Sequence, residues 1–243
     1  MIGILIRAHN AGELLLPCIR SVSTQTNSEW RIHLFLDDPT PKTARAVLDA
    51  RKYLKYHPLV TETTTRRGGP ARTMWHGIDA MVRYMNNDDI ITVLDGDDRY
   101  ATGMALSRIQ QEYDERPHCR LTYGSYLKVS VNRRTKISQA YPKKADVRKH
   151  PWRASHAKSF RVDLAKYLRK DHFLDNDGNY LKAASDLALM FPLIEMAGLE
   201  NCRHIHDLIY TWNDNHGGNC DRETQRQAEA IVRGKKKEKR IAE

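Results

Sequence analysis

Apolar and polar positions along the first hundred residues alternate between two patterns. Ile2, Gly3, Ile4, Leu5 and Ile6 form a near-continuous apolar run, as expected of a strand buried on both faces. The run ends in Arg7-Ala8-His9-Asn10. A helix is predicted from about Glu13, with Leu15, Ile19 and Val22 on one face. Ile32, Leu34 and Leu36 then alternate with other residues and predict a second strand, which ends at Asp37-Asp38 before Pro39-Thr40-Pro41 stops it. A helix over residues 43–56 is predicted to turn Ala44, Val47, Leu48 and Leu54 inward, and the β-branched stretch 59–65 reads as a third strand.

Arg66-Arg67-Gly68-Gly69-Pro70 is a loop by composition. The helix after it has the clearest periodicity in the chain: Ala71, Met74, Trp75, Ile78, Met81, Val82 and Met85 recur at helical spacing over four turns. Ile90–Leu94 is a fourth apolar strand and runs directly into Asp95-Gly96-Asp97-Asp98. Strands alternating with helices predict a doubly wound, mostly parallel sheet with helices on both faces. Beyond residue 98 the pattern loosens. It suggests a helix at 102–116, a strand at 121–131 and little periodicity from 132 to 152. A helix at 182–197 follows, with Leu187, Met190, Phe191 and Ile194 inward, then a strand at 205–212 and a terminal helix at 222–233.

In open α/β sheets ligands bind at the carboxyl ends of the strands. Three of the four predicted strands end in polar clusters, and one of these places three carboxylates within four residues. Unpaired carboxylates so close together repel one another, and a hard divalent cation such as Mg²⁺ or Mn²⁺ removes that conflict. Such a cation usually shares its coordination with substrate phosphates. Gly96 would let the backbone approach a ligand closely.

Composition adds charge to this picture. The chain of 243 residues carries a net charge of +10. Residues 128–172 hold fourteen Lys or Arg against three Asp, which accounts for the whole excess. The segment also contains Tyr141, Trp152, Phe160 and Tyr167, with Phe173 just beyond it. Cations with aromatic platforms suit a polyanion or a single-stranded nucleic acid; a solvated surface with a frayed basic tail at 235–240 is the alternative. No apolar run is long enough to span a membrane. The four cysteines are scattered, with no Cys-x-x-Cys pair, so a reducing cytoplasm is the expected location.

Five short segments in order resemble family-2 glycosyltransferases of the GT-A type. They are Arg7-Ala8-His9-Asn10, Ser21-Val22-Ser23-Thr24-Gln25-Thr26, Asp37-Asp38-Pro39-Thr40, Ala71-Arg72-Thr73 and Asp95-Gly96-Asp97-Asp98. The match is thinner further on. Ser185-Asp186 stands where that family has Glu-Asp, and Tyr210–His216 loosely matches its Tyr-Arg-x-His. The resemblance implies a GT-A-like sheet with a C-terminal acceptor-side extension. Within one domain it implies a nucleotide-sugar-binding half at 1–126, an acceptor-side half at 127–221, and a C-terminal helix and tail at 222–243.

The implied reaction moves a sugar from a nucleoside diphosphate sugar, a UDP-sugar by family prior, to an acceptor hydroxyl. A single base without a covalent nucleophile implies inversion. Asp186 would be the catalytic base. Ala8, Asn10, Asp37, Asp38, Arg72, Asp95 and Gly96 would bind the nucleotide sugar, and Asp95, Asp97 and His216 would hold Mn²⁺ or Mg²⁺. The basic segment extends the expectation to an anionic acceptor, with hydroxylated bases in DNA as one candidate. A nucleotidyltransferase and a non-catalytic nucleic-acid-binding module stay open as alternatives. The first usually needs a Gly-rich basic loop after strand one, which residues 7–12 supply only in part.

Overall fold

The computed structural model describes residues 1–54, 57–129, 135–214 and 220–241. Its centre is a seven-stranded sheet. The strands are β1 (Ile2–Ala8), β2 (Trp30–Asp37), β3 (Leu59–Thr64), β4 (Ile90–Asp95), β6 (Leu121–Gly124), β9 (Lys158–Arg161) and β10 (Cys202–Ile205), in the spatial order β10-β6-β9-β4-β1-β2-β3. All pairings are parallel except those of β9, which runs antiparallel to both β4 and β6. A second sheet of four short strands carries β5 (Arg99–Tyr100), β11 (Tyr210–Trp212), β7 (Tyr126–Lys128) and β8 (Thr135–Lys136), in that order.

Alternation along β1 decides which helices cover which face. Ile2, Ile4 and Ile6 point into one core with Leu15, Cys18, Ile19 and Val22 of α1 (Leu15–Ser23) and Val47 of α2 (Pro41–Leu54). Leu5 points into the other, with Met74, Ile78 and Met81 of α3 (Pro70–Val82) and nearly all of α6 (Ser185–Ala197). Gly3 allows α3 to press closely on β1: a Cβ there would lie 2.5 Å from the Met81 methyl and 2.6 Å from the Met85 sulfur. Both clusters consist of buried, mostly aliphatic side chains with several aromatics, and each large apolar side chain among them stabilises the fold by roughly 1.5–3 kcal/mol.

Several expectations are corrected. In α2 the buried stripe is Thr43, Ala46, Val47, Ala50 and Leu54, whereas Leu48 and Ala44 face solvent. At about 100° of turn per residue, Ala44 lies about 100° and Leu48 about 140° from the centre of that stripe. The predicted strand 121–131 is two strands in different sheets, broken at Ser125, and 205–212 likewise divides between β10 and β11. The helix predicted from 182 starts at Ser185, because Ala184 is left-handed with φ 56°. β9, with its short Lys-Ser-Phe-Arg pattern, was not foreseen.

The basic tail is docked rather than frayed. After α7 (Arg222–Gly234), Lys235 Nζ donates to the Leu174 carbonyl at 2.6 Å, Lys237 pairs with Asp146 at 2.6 Å, and the Ile241 amide donates to Met196 O at 3.0 Å. The aromatic platforms of the basic segment are largely core. Phe160, Phe173 and Tyr141 are buried and Trp152 packs against them, leaving Tyr167 exposed at 52%. Arg148 and Lys158 are buried as well. A local charge count does not reveal that the fold turns some of these cations inward. Among the described residues no helix is long and apolar enough to cross a membrane.

Candidate active site

The parallel register of β1 and β4 sets Arg7 directly opposite Asp95. The two side chains form an ion pair in which Arg7 is almost fully buried and Asp95 is partly exposed. Arg7 also donates to Pro70 O at 3.2 Å and to Ser185 Oγ at 3.4 Å. One guanidinium thus ties the end of β1 to β4 and to the first residues of α3 and α6. Burial works to lower the Arg7 pKa, but the charges of Asp95 and Asp186 outweigh it and leave it raised.

Gly96 and Asp98 complete the turn after β4. The Gly96 amide donates to Arg7 O at 2.7 Å. A Cβ on Gly96 would lie 2.7 Å from that of Ala8 and 3.0 Å from Arg7 O, so the turn presses closely on β1 at this glycine. Ala8 is itself buried. Asp98 accepts from the Tyr210 hydroxyl at 2.6 Å and from the Asn213 amide at 2.7 Å. Burial, then the charges of Asp95 and Asp97, push its carboxyl up to about 8.

His156 lies flat on Tyr210, with ring centroids 4.3 Å apart. Its Nδ1 accepts from the Lys158 ammonium at 3.0 Å. Burial and then the Lys158 charge hold its pKa down to about 3, so the ring is neutral at pH 7. With Nδ1 occupied as an acceptor, the proton of the neutral imidazole resides on Nε2. Lys158 Nζ also lies 3.3 Å from Asp186 Oδ1. Asp186 sits in the first turn of α6, where the helix dipole favours a negative charge. Burial would raise its pKa, but the charges of Lys158 and Arg7 hold it well below the usual carboxylate range.

Asp95, Asp98 and His156 offer ligand atoms all within 4.8 Å of one another. The carboxylates fit a hard divalent cation, and such an ion would relieve the repulsion from Asp95 and Asp97 that adds to burial in raising the Asp98 pKa. His156 fits less well while Lys158 occupies Nδ1. Asp97 lies in the same turn, half-buried. His216 lies outside the described residues.

The remaining predicted residues line the neighbouring strand ends. Asp37 is buried; its Oδ1 accepts from Thr64 Oγ1 at 3.1 Å and the Gly68 amide at 2.8 Å, and its Oδ2 accepts from the Gly69 amide at 2.9 Å. It therefore shapes the loop leading into α3. Asp38 is exposed in a left-handed conformation, φ 51°. Asn10 is exposed beside His9. Arg72, in the first turn of α3, lies over Gly68, where a Cβ would come within 2.3 Å of its Cδ. Arg7, Asp95, Asp98 and Asp186 thus meet in one place, and Asp37, Asp38 and Arg72 flank it. Sequence reasoning missed His156, Lys158 and Tyr210 as site residues. The one available signal was a lone Lys amid Ala157, Ser159 and Phe160. A separate cavity of about 830 Å³ opens at the far end of β9, beside Arg161, Arg120 and Tyr113, and holds none of these groups.

A model of glycosyl transferase family 2 matches residues 3–169. The chain belongs to that family. Asp186 lies beyond the matched stretch. No curated protein sequence matches the chain. Among solved structures, S. aureus TarS is similar with a TM-score of 0.63 at 15% identity, over 95% of this chain and 42% of TarS. TarS 1-349 in complex with UDP-GlcNAc gives 0.61 at 15%, over 89% of this chain and 59% of that one. The mannosyltransferase PcManGT from Pyrobaculum calidifontis, in complex with GDP-Man and Mn²⁺, gives 0.61 at 13%, over 89% of this chain and 58% of its own. Glucosyl-3-phosphoglycerate synthase from Mycobacterium tuberculosis, in complex with Mn²⁺, UDP-Glc and phosphoglyceric acid, gives 0.58 at 11%, over 96% and 77%. The chain therefore spans less than half of full-length TarS. At these identities the likeness establishes the fold, and the observed sheet is the expected GT-A-like one.

Proposed function

We propose that this chain transfers a glycosyl group from a nucleoside diphosphate sugar to an acceptor hydroxyl, with inversion. The observation that carries the reading is the cluster at the carboxyl end of β4, in a family-2 fold. Asp95 and Asp98 stand together there, and Asp186 is one lysine ammonium away from His156. The acceptor oxygen attacks the anomeric carbon and the bond to the diphosphate breaks. The nucleoside diphosphate leaves with the bonding electrons, and the acceptor proton passes to Asp186. When bound, a divalent cation supplies Lewis-acid stabilisation of the leaving diphosphate. Asp95 and Asp97 would hold it, with His216 as a third candidate. Asp38 and Arg72 would meet the nucleotide, while Asp37, Asn10, Ala8 and Gly96 would shape its cleft.

Mn²⁺ and a UDP-sugar are the favoured pair, because TarS and the mycobacterial synthase carry UDP-sugars and two of the similar structures hold Mn²⁺. Family membership favours transfer over the nucleotidyltransferase and binding-module alternatives. An anionic acceptor, DNA included, has the support of exposed Lys143, Lys144 and Lys149, but it loses that of the buried aromatics.

A thermal-melt panel of UDP, GDP and CMP, each with Mn²⁺ and with EDTA, tests the donor site, since a ligand that binds only the native state raises Tm by mass action. UDP is expected to raise Tm in Mn²⁺ and not in EDTA. A flat panel would sink the donor-site reading. Asp97→Asn is expected to weaken UDP binding in Mn²⁺ at least about tenfold and to leave it unchanged in EDTA. Equal affinity with and without the substitution would remove Asp97 from the metal site.

A further inference from the structure

Lysine is almost never fully buried unless paired, because moving an ammonium out of water costs several kcal/mol. Lys158 is 0% exposed. Its place on β9, opposite Val93 of β4, is one that an apolar residue would ordinarily fill. Its Nζ instead reaches two polar atoms of the candidate site, His156 Nδ1 at 3.0 Å and Asp186 Oδ1 at 3.3 Å. Asp186 Oδ1 is buried and accepts no hydrogen bond of good geometry, so its contact with Lys158 is an ion pair, yet the Asp186 side chain is 31% exposed. The edge of the carboxylate that reaches solvent is therefore the Oδ2 side.

We propose that Lys158 is a positioning residue for the base: its buried ammonium holds Asp186 Oδ1 inward, so that Oδ2 alone faces the cleft to receive the acceptor proton. The same ammonium donates to Nδ1 of the His156 ring, which stacks on Tyr210. This inference rests on the proposed role of Asp186. It adds to that role a third element, β9, which inserts antiparallel between β4 and β6 and brings Lys158 beneath the first turn of α6. Arg7 supports the opposite side of that turn through Ser185. A general base works only when it is held within hydrogen-bond reach of the proton it takes, and a misplacement of about 1 Å can cost on the order of 10²-fold in rate.

The test uses the full chain, UDP-glucose, UDP-GlcNAc and GDP-mannose as donors, and water as the acceptor, with nucleoside diphosphate release as the readout. Lys158→Met is expected to lower kcat by about 10²-fold with the donor KM within about twofold of wild type. Lys158→Arg is expected to recover part of that loss. Because both residues act through one oxygen, Asp186→Asn with Lys158→Met should be no slower than Asp186→Asn alone. A wild-type kcat in Lys158→Met, or losses that multiply in the double variant, would overturn the positioning role. If Lys158→Met does not fold, Lys158→Gln, which keeps a neutral donor, carries the same comparisons. Unimpaired release by Asp186→Asn would overturn the base assignment instead, and no release by the wild-type protein from any donor would overturn the transferase reading together with this one.

Discussion

Asp186→Asn is expected to lower transfer by about 10²–10⁴-fold, the usual contribution of a positioned general base, with UDP affinity within about twofold of wild type. The amide has the shape of the carboxylate but cannot take the acceptor proton at neutral pH. The group it replaces is prepared for that task. The first turn of α6 gives it a favourable dipole, and Lys158 and Arg7 keep it ionised against the effect of burial. UDP binding should be spared because the nucleotide is expected at the ends of β1, β2 and β4. A second consequence follows from Lys158, whose buried ammonium loses its counter-charge in the variant. Tm should therefore fall as well, and rates must be compared below the lower transition. Nucleotide release and calorimetric UDP binding, measured on the same preparation, separate the outcomes. Turnover at the wild-type rate would remove Asp186 from the mechanism. A parallel loss of UDP affinity would move it to the donor site.

The first half of this fold was legible because its signals are redundant. β1 and β4 are nearly pure aliphatic runs, α3 repeats its buried row over four turns, and three of the four strand ends are marked by polar clusters. The acidic cluster was legible for the same reason: Asp95 and Asp98 follow a strand whose position the pattern already gave. What could not be read was register and inward charge. Nothing local says that Arg7 will lie opposite Asp95, since that pairing exists only once β1 and β4 align. β9 is four residues long, contains one large apolar side chain and is embedded in a basic stretch, so neither period nor composition marks it. Lys158 and His156 were hidden with it. The surface reading of the basic stretch failed at Arg148 and Lys158 because a count of charges carries no information about which ones find buried partners. Asp37 shows the converse: it was read as a ligand group, and its carboxylate accepts two backbone amides of the loop into α3.

The second large effect lies in the C-terminal part of the chain, away from Asp186. Glu195→Ala is expected to destabilise the chain by about 3–5 kcal/mol, the usual cost of removing one partner of a buried ion pair. Arg148 meets Glu195 through two bonds, Nε to Oε1 at 2.6 Å and Nη2 to Oε2 at 2.9 Å. The two side chains are 5% and 9% exposed. The Glu238 amide donates to the same carboxylate at 3.0 Å, and Arg148 also donates to Val232 O in α7. Glu195 is therefore the point where α6, the basic segment, α7 and the docked tail meet. Its loss strands a buried guanidinium and releases the tail. For a chain of this size the cost corresponds to a fall in Tm of roughly 6–20 °C. Replacing both partners, Arg148→Met with Glu195→Met, should restore most of it, because the expense lies in the unpaired charge rather than in the loss of the bridge. Nine residues along α6 separate Glu195 from Asp186, about 14 Å of helix. UDP binding to folded Glu195→Ala protein at low temperature should accordingly match wild type. A Tm within about 2 °C of wild type would show that Arg148 finds another partner or reaches water. A double variant no more stable than Glu195→Ala would show that the pair itself, and not the orphaned charge, holds the tail to α6.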